Sequence, residues 1–151
     1  MWEGWRLTIQ TRLGRLRYAT IDTGEKYYLK WVEDSGPHAD EPNPLDRHLM
    51  QTCGKRRFLE LIHDFIVYDA GTKKVCRQNQ YFGVKAAQDF ILRREGGIIW
   101  HTQGSGKSLT MVWLAKWIRE HRIGARVLII TDRTELDELA YAGDSNSQRG
   151  G

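Results

Sequence analysis

Long apolar runs are missing from this chain. The longest, Val127 to Ile130 and Met111 to Ala115, span four and five residues, whereas a membrane-crossing helix needs roughly 20. The amino-terminal stretch MWEGWRLTIQTRLGRLRYAT carries positive charge but no apolar core and no small-residue cleavage site, so no secretory signal is read there. Cysteine is scarce: Cys53 and Cys76 are the only two, with no CxxC and no nearby histidine pair. That excludes a disulfide framework and a structural zinc site, and two reduced thiols are expected. Proline is scarce too, and all three (Pro37, Pro42, Pro44) fall in one short stretch. A soluble, cytoplasmic protein with no membrane partner is the expectation.

What is present suits one average domain or parts of two. Of 151 residues, 40% are apolar and six are Trp, enough for a packed core. The formal charge of +4 favours anionic partners, nucleic acid first.

Residues 2–32 hold short bursts of Tyr, Trp, Ile and Leu interrupted by glycine and charge, a pattern of short strands. EDSGPHADEPNPLD, Glu33 to Asp46, reads as an exposed loop and the best internal boundary. From Arg56, Leu59, Ile62 and Phe65/Ile66 recur at helical spacing, running on into Ile66-Val67-Tyr68 before a turn at Asp69 to Thr72. A further helix is expected from about Tyr81 to Glu95, with Val84, Ala87 and Ile91 on one face and Gly96-Gly97 ending it. Ile98-Ile99-Trp100 then reads as a buried strand, Leu109 to Arg122 as a largely buried helix, and Arg126 to Thr131 as a second buried strand. Strand, loop, helix and strand in that order make a βαβ unit and imply a parallel sheet. The tail from Ala140 abandons apolar periodicity and is expected to be disordered.

The loop between the first of those strands and the helix is HTQGSGKS. In Gly104-Ser105-Gly106-Lys107-Ser108, glycines let the backbone curl so that successive N–H groups face phosphate oxygens. The helix that follows offers its unpaired N–H groups and positive dipole end to the same anion. Lys107 would reach the β- and γ-phosphates, and Ser108 would place its hydroxyl on Mg²⁺. The strict phosphate-loop pattern opens with glycine, and His101 stands there instead.

IIWHTQGSGKSLTMVWLAKWI followed by ARVLIITDRTELDEL closely resembles the motor region of the restriction subunit of type I restriction enzymes. RFLELIHDFIVYDAGTKKVCRQNQYFGVKAAQDFILRREGG resembles the segment preceding that motor, and RLGRL…KYYLKWVED, more weakly, the stretch linking nuclease and motor. The resemblance implies an α/β fold: the start of a P-loop (RecA-like) helicase motor domain with a parallel sheet, preceded by a small mixed α+β linker segment. It implies residues 1–45 as linker, 46–95 as helices leading into the motor, 96–139 as the first βαβ of the motor, and 140–151 as tail.

The same resemblance assigns roles. Gly104, Ser105, Gly106, Lys107 and Ser108 match helicase motif I, whose usual form in this superfamily begins AxTGSGK, which accounts for His101. Thr131, Asp132, Arg133 and Thr134 match motif Ia, which touches a DNA strand in related helicases; Asp132 with Glu135 reads equally well as a helix capping box. Gln80 resembles a glutamine that recognises adenine, the alternative being an ordinary surface Gln before a helix. ATP and Mg²⁺ are the implied cofactors. Double-stranded DNA and the methylation and specificity subunits of a type I complex are the implied partners. By resemblance the activity is that of an ATP-dependent type I site-specific deoxyribonuclease. No complete catalytic set is read in this chain, because the nuclease centre and the Asp/Glu pair of helicase motif II match nothing in it. A truncated piece, marginally stable and inactive alone, is therefore expected. The rivals are a non-enzymatic nucleotide- or DNA-binding domain and a small P-loop kinase, for which Asp132 is the one Walker B candidate.

Overall fold

The computed structural model describes residues 7–12, 15–69 and 71–130. The chain divides into two compact units. One holds the residues up to Ile66 together with Lys73–Gln78; the other holds Val67–Thr72 and everything from Asn79.

In the first unit, β1 (Leu7–Arg12) pairs antiparallel with β2 (Arg15–Thr20), and β2 pairs antiparallel with the short β3 (Leu29–Lys30). The start of β2 alternates, with Arg15 exposed and Leu16 buried, and its end, Tyr18 to Thr20, is buried throughout. Tyr18 and Trp31 meet in a tilted ring pair with centroids 6.0 Å apart. The Tyr18 hydroxyl donates to the Cys76 carbonyl at 2.8 Å, and the Thr20 hydroxyl to the Lys73 carbonyl at 2.7 Å. Leu61, Phe65 and Val75 are buried in the same unit.

Beyond β3 the backbone is held by side chains in place of a strand. The Val32 N–H donates to Gln78 Oε1 at 3.1 Å, and Gln78 Nε2 donates back to the Val32 carbonyl at 2.6 Å. Gln51 repeats the arrangement one residue on. It accepts from the Glu33 N–H at 3.2 Å and donates to the Glu33 carbonyl at 3.0 Å. Two amide side chains thus supply the bonds a neighbouring strand would otherwise give.

Helix α1 (Pro44–Cys53) begins where the sequence was read as loop. Asn43 caps it by accepting from the Leu45 N–H at 3.0 Å, and Pro44 sits in the first turn, where its missing N–H costs nothing. Gly54 ends α1 and opens α2 (Lys55–His63). The buried side of α2 carries Leu61, whereas Leu59, expected on the core face, is exposed. Ile66 to Tyr68 do not continue this helix. They belong to β4 (Ile66–Asp69), which pairs with β5 (Thr72–Val75) across the expected turn, with Gly71 at φ +78°.

In the second unit, which α3 (Gln78–Leu92) enters at Asn79, that helix buries Gln80, Tyr81, Val84 and Gln88. Helix α4 (Lys107–His121) fully buries only Thr110 and Trp113; the rest of its apolar surface is half-buried, less than its composition implied. At its end an Arg122 guanidinium nitrogen donates to the Ile91 carbonyl on α3 at 3.4 Å.

The expected parallel sheet is not seen among the described residues. Neither Ile98–Trp100 nor Arg126–Ile130 pairs as a strand, and several of their side chains are out in solvent, with Ile98 and Trp100 at 90% and Leu128 at 83% exposure, while Ile129 is half-buried. Strand identity depends on a neighbour that completes the backbone hydrogen bonds and on a layer that covers the side chains. Within the described residues these two segments have no strand neighbour and only partial cover. Among the described residues the architecture is mixed α/β with two small sheets, and no described helix is long and apolar enough to cross a membrane.

Candidate functional site

The candidate site lies wholly in the second unit, where residues 101–106 lead into α4. Gly104 and Gly106 both adopt positive φ, +75° and +81°. Only glycine enters that region without steric cost, so the sequence GSG is what allows this loop to fold back on itself. Around Gly104 a Cβ would meet nothing within 4 Å, so the loop is open there. The Ser105 N–H closes a turn by donating to the Thr102 carbonyl at 3.3 Å.

Gly106 is the N-cap of α4 and has no side chain with which to cap it. The first N–H groups of this 15-residue helix therefore lack the usual side-chain acceptor, and the positive end of its dipole faces the loop. Lys107 is exposed and Ser108 half-buried at that end. Ser105 is 8% exposed, and its hydroxyl is buried without a hydrogen-bond partner. An orphaned hydroxyl beside a helix start that has no side-chain cap fits an anion with several acceptor oxygens. Together the loop, the helix start and the Lys107 ammonium fit the polyphosphate of a nucleotide, and the Ser108 hydroxyl is of the right chemistry for Mg²⁺.

The Gly106 carbonyl gathers three donors. The Thr110 N–H reaches it at 3.2 Å, the Thr110 hydroxyl at 3.3 Å and Gln80 Nε2, from α3, at 2.8 Å. Gln80 is 2% exposed, so the surface-glutamine alternative is corrected: this side chain is buried against the loop. A Cβ on Gly106 would fall onto the Gln80 amide nitrogen. His101, where the strict motif has glycine, packs beside α3. A Cβ on Gly83 would come within 3.2 Å of its ring.

The structure thus gathers Gly104, Ser105, Gly106, Lys107, Ser108 and Gln80 at one place. Thr131, Asp132, Arg133 and Thr134 lie outside the described residues. Thr110 was missed in the sequence. Its signal was a hydroxyl four residues after the N-cap, where it can bond back to the N-cap carbonyl. Among the described residues no cluster of His, Cys, Asp or Glu could hold a metal ion by itself.

Comparison with known proteins bears on this site. The family model of the SWI2/SNF2 ATPase matches residues 79–149, which include all of α3 but its first residue, the loop and α4. A "Putative type I restriction enzyme MjaIXP endonuclease subunit" of Methanocaldococcus jannaschii is 36% identical over 109 residues, covering 64% of this chain and 10% of that protein. The type I restriction enzyme HindI endonuclease subunit of Haemophilus influenzae is 32% identical over 112 residues, 65% of this chain and 10% of that one. The MjaVIIIP counterpart, from the same organism as the first, is 33% identical over 143 residues, 81% of this chain and 14% of its own length. The chain spans about a tenth of the length of the curated relatives it matches. No solved structure matches it. Over the matched residues the chain is a homologue of type I restriction enzyme endonuclease subunits.

Proposed function

We propose that this homologue of type I restriction endonuclease subunits carries the ATP-binding loop of an ATP-dependent DNA-translocating restriction subunit. The observation that carries the proposal is the pair of left-handed glycines, Gly104 and Gly106, leading directly into the uncapped start of α4. The N–H groups of Gly106, Lys107 and Ser108, at the loop's end and the start of α4, would hold the phosphate oxygens. The Lys107 ammonium would neutralise the β- and γ-phosphates, and the Ser108 hydroxyl would hold Mg²⁺. Bound ATP supplies a phosphoryl group whose transfer to water releases the free energy for movement.

The share of these residues in that chemistry is binding and positioning. The loop fixes the phosphates before reaction, and such fixed donors stabilise charge without reorganising. Water activation and neutralisation of the leaving group need further carboxylate and guanidinium groups. In the proposal, the segments 98–100 and 126–130 pair within the parallel sheet of the motor domain, and Thr131 to Thr134 touch a DNA strand. Hydrolysis, translocation along double-stranded DNA, cleavage, and assembly with methylation and specificity subunits in the cytoplasm are proposed for the complete subunit.

Titration calorimetry of this chain with Mg-ATP, beside Lys107→Ala, tests the binding claim. Loss of one charge-assisted contact should weaken binding by about ten- to a hundredfold. Equal affinities in the two proteins would refute the role given to Lys107.

A further inference from the structure

The peptide joining Gly106 to Lys107 is a planar trans unit, so its C=O and N–H point in opposite directions. Whatever holds the Gly106 oxygen therefore aims the Lys107 N–H. One donor is the Thr110 N–H at 3.2 Å, the ordinary first bond of the helix. Another is Gln80 Nε2 at 2.8 Å, the shortest of the three and the only one from another helix. Gln80 is almost wholly buried, and the absence of a Cβ at Gly106 is what lets its amide approach.

We propose that Gln80 is a positioning residue of the phosphate cradle, pinning the Gly106 carbonyl so that the first N–H of α4 faces the phosphate. One N–H of its amide bonds the loop backbone, and an effect on binding exerted through that bond is independent of the base. This differs from adenine recognition, in which a glutamine amide contacts the base and selects ATP over other nucleotides. The inference rests on the nucleotide-binding reading above.

The test uses the full chain with Gln80→Met, which keeps the side-chain volume and removes the donor. Affinities for Mg-ATP, Mg-GTP and inorganic tripolyphosphate are measured by calorimetry. All three dissociation constants should rise by the same factor, about two- to tenfold. A rise for ATP alone, or for none, overturns the inference. A role limited to fold stability would lower the melting temperature and leave the affinity of the folded protein unchanged, which also overturns it. Should the unaltered chain bind none of the three, the nucleotide reading falls, and a ligand-free measurement still decides the contact. Gly106→Ala should cost less stability in a Gln80→Ala background than in the natural one, because the obstructing amide is gone. Equal costs would overturn the inference.

Discussion

The Trp31 indole N–H donates to Glu33 Oε1 at 2.5 Å. Arg57 reaches the same oxygen, stacks over the Trp31 ring at 5.1 Å and donates to the Gln51 carbonyl at 2.8 Å. The carboxylate is 9% exposed, so its charge is tolerated because these donors surround it. Removing one partner of such a pair leaves a buried charge uncompensated. Arg57→Ala should therefore destabilise the first unit by about 3 kcal/mol in urea unfolding. Replacing Glu33 and Arg57 together by leucine should cost less than the sum of the single changes. Additive losses would show that the pair does not act as a unit.

The two loop glycines should respond differently to alanine. At Gly104 the added Cβ meets open space, so only the left-handed backbone opposes it, at about 1–2 kcal/mol. At Gly106 the same backbone cost is joined by collision with the Gln80 amide. Gly106→Ala should be the more damaging in chemical denaturation, and a reversed order would contradict the packing described for α3 against the loop.

Burial, with the Arg47 and Arg15 guanidiniums nearby, holds the His48 imidazole below its ordinary range. Its Nδ1 is buried without a hydrogen-bond partner. The unfolded chain then binds a proton more readily than the folded one, so stability rises with pH through this window. As pH falls below about 6.5, the ordinary histidine value, the contribution is lost, and the loss is complete below the folded-state value. Melting temperatures from about pH 7.5 down to pH 5 should show that slope, and His48→Gln should flatten it. An unchanged slope in the variant would place the titration elsewhere.

Burial pushes the Cys76 thiol well above its ordinary range and raises Cys53 as well. Reactivity follows the thiolate, so both should react with a disulfide reagent at neutral pH at least about tenfold more slowly than free cysteine. Cys53, only half-buried, should react first, and Cys76 at the rate of unfolding. Prompt modification of Cys76 in the folded chain would contradict its burial.

How far the sequence reaches depends on whether the determining contacts are local. The turn of Gly104 to Ser108 into α4 was legible because its signals sit in adjacent residues: two glycines at positive φ followed at once by a helical run. The two long helices were legible from apolar spacing, although α3 begins at Gln78, three residues before the expected Tyr81, because Gln78-Asn79-Gln80 add no apolar periodicity. The start of α1 was misplaced, because its signals, Asn43 as cap and Pro44 after it, lie within a stretch dominated by proline and acid that was read as loop through Asp46. Of the hairpin β4–β5 only the turn was legible: its first strand was read as a continuation of the preceding helix, and its second strand was not read. The Gln80–Gly106 bond spans 26 residues of sequence, and no local pattern announces it. Val127 to Ile130 shows the opposite failure. An apolar run resembles a buried strand in any context, yet becomes one only when a second strand pairs with it.

The most direct measurement is a two-dimensional amide NMR spectrum of the chain without and with Mg-ATP, repeated for Lys107→Ala. The account predicts dispersed peaks whose shifts on adding nucleotide centre on Gly104 to Ser108 and are lost in the variant. A spectrum indifferent to nucleotide, or the same shifts in Lys107→Ala, would contradict it.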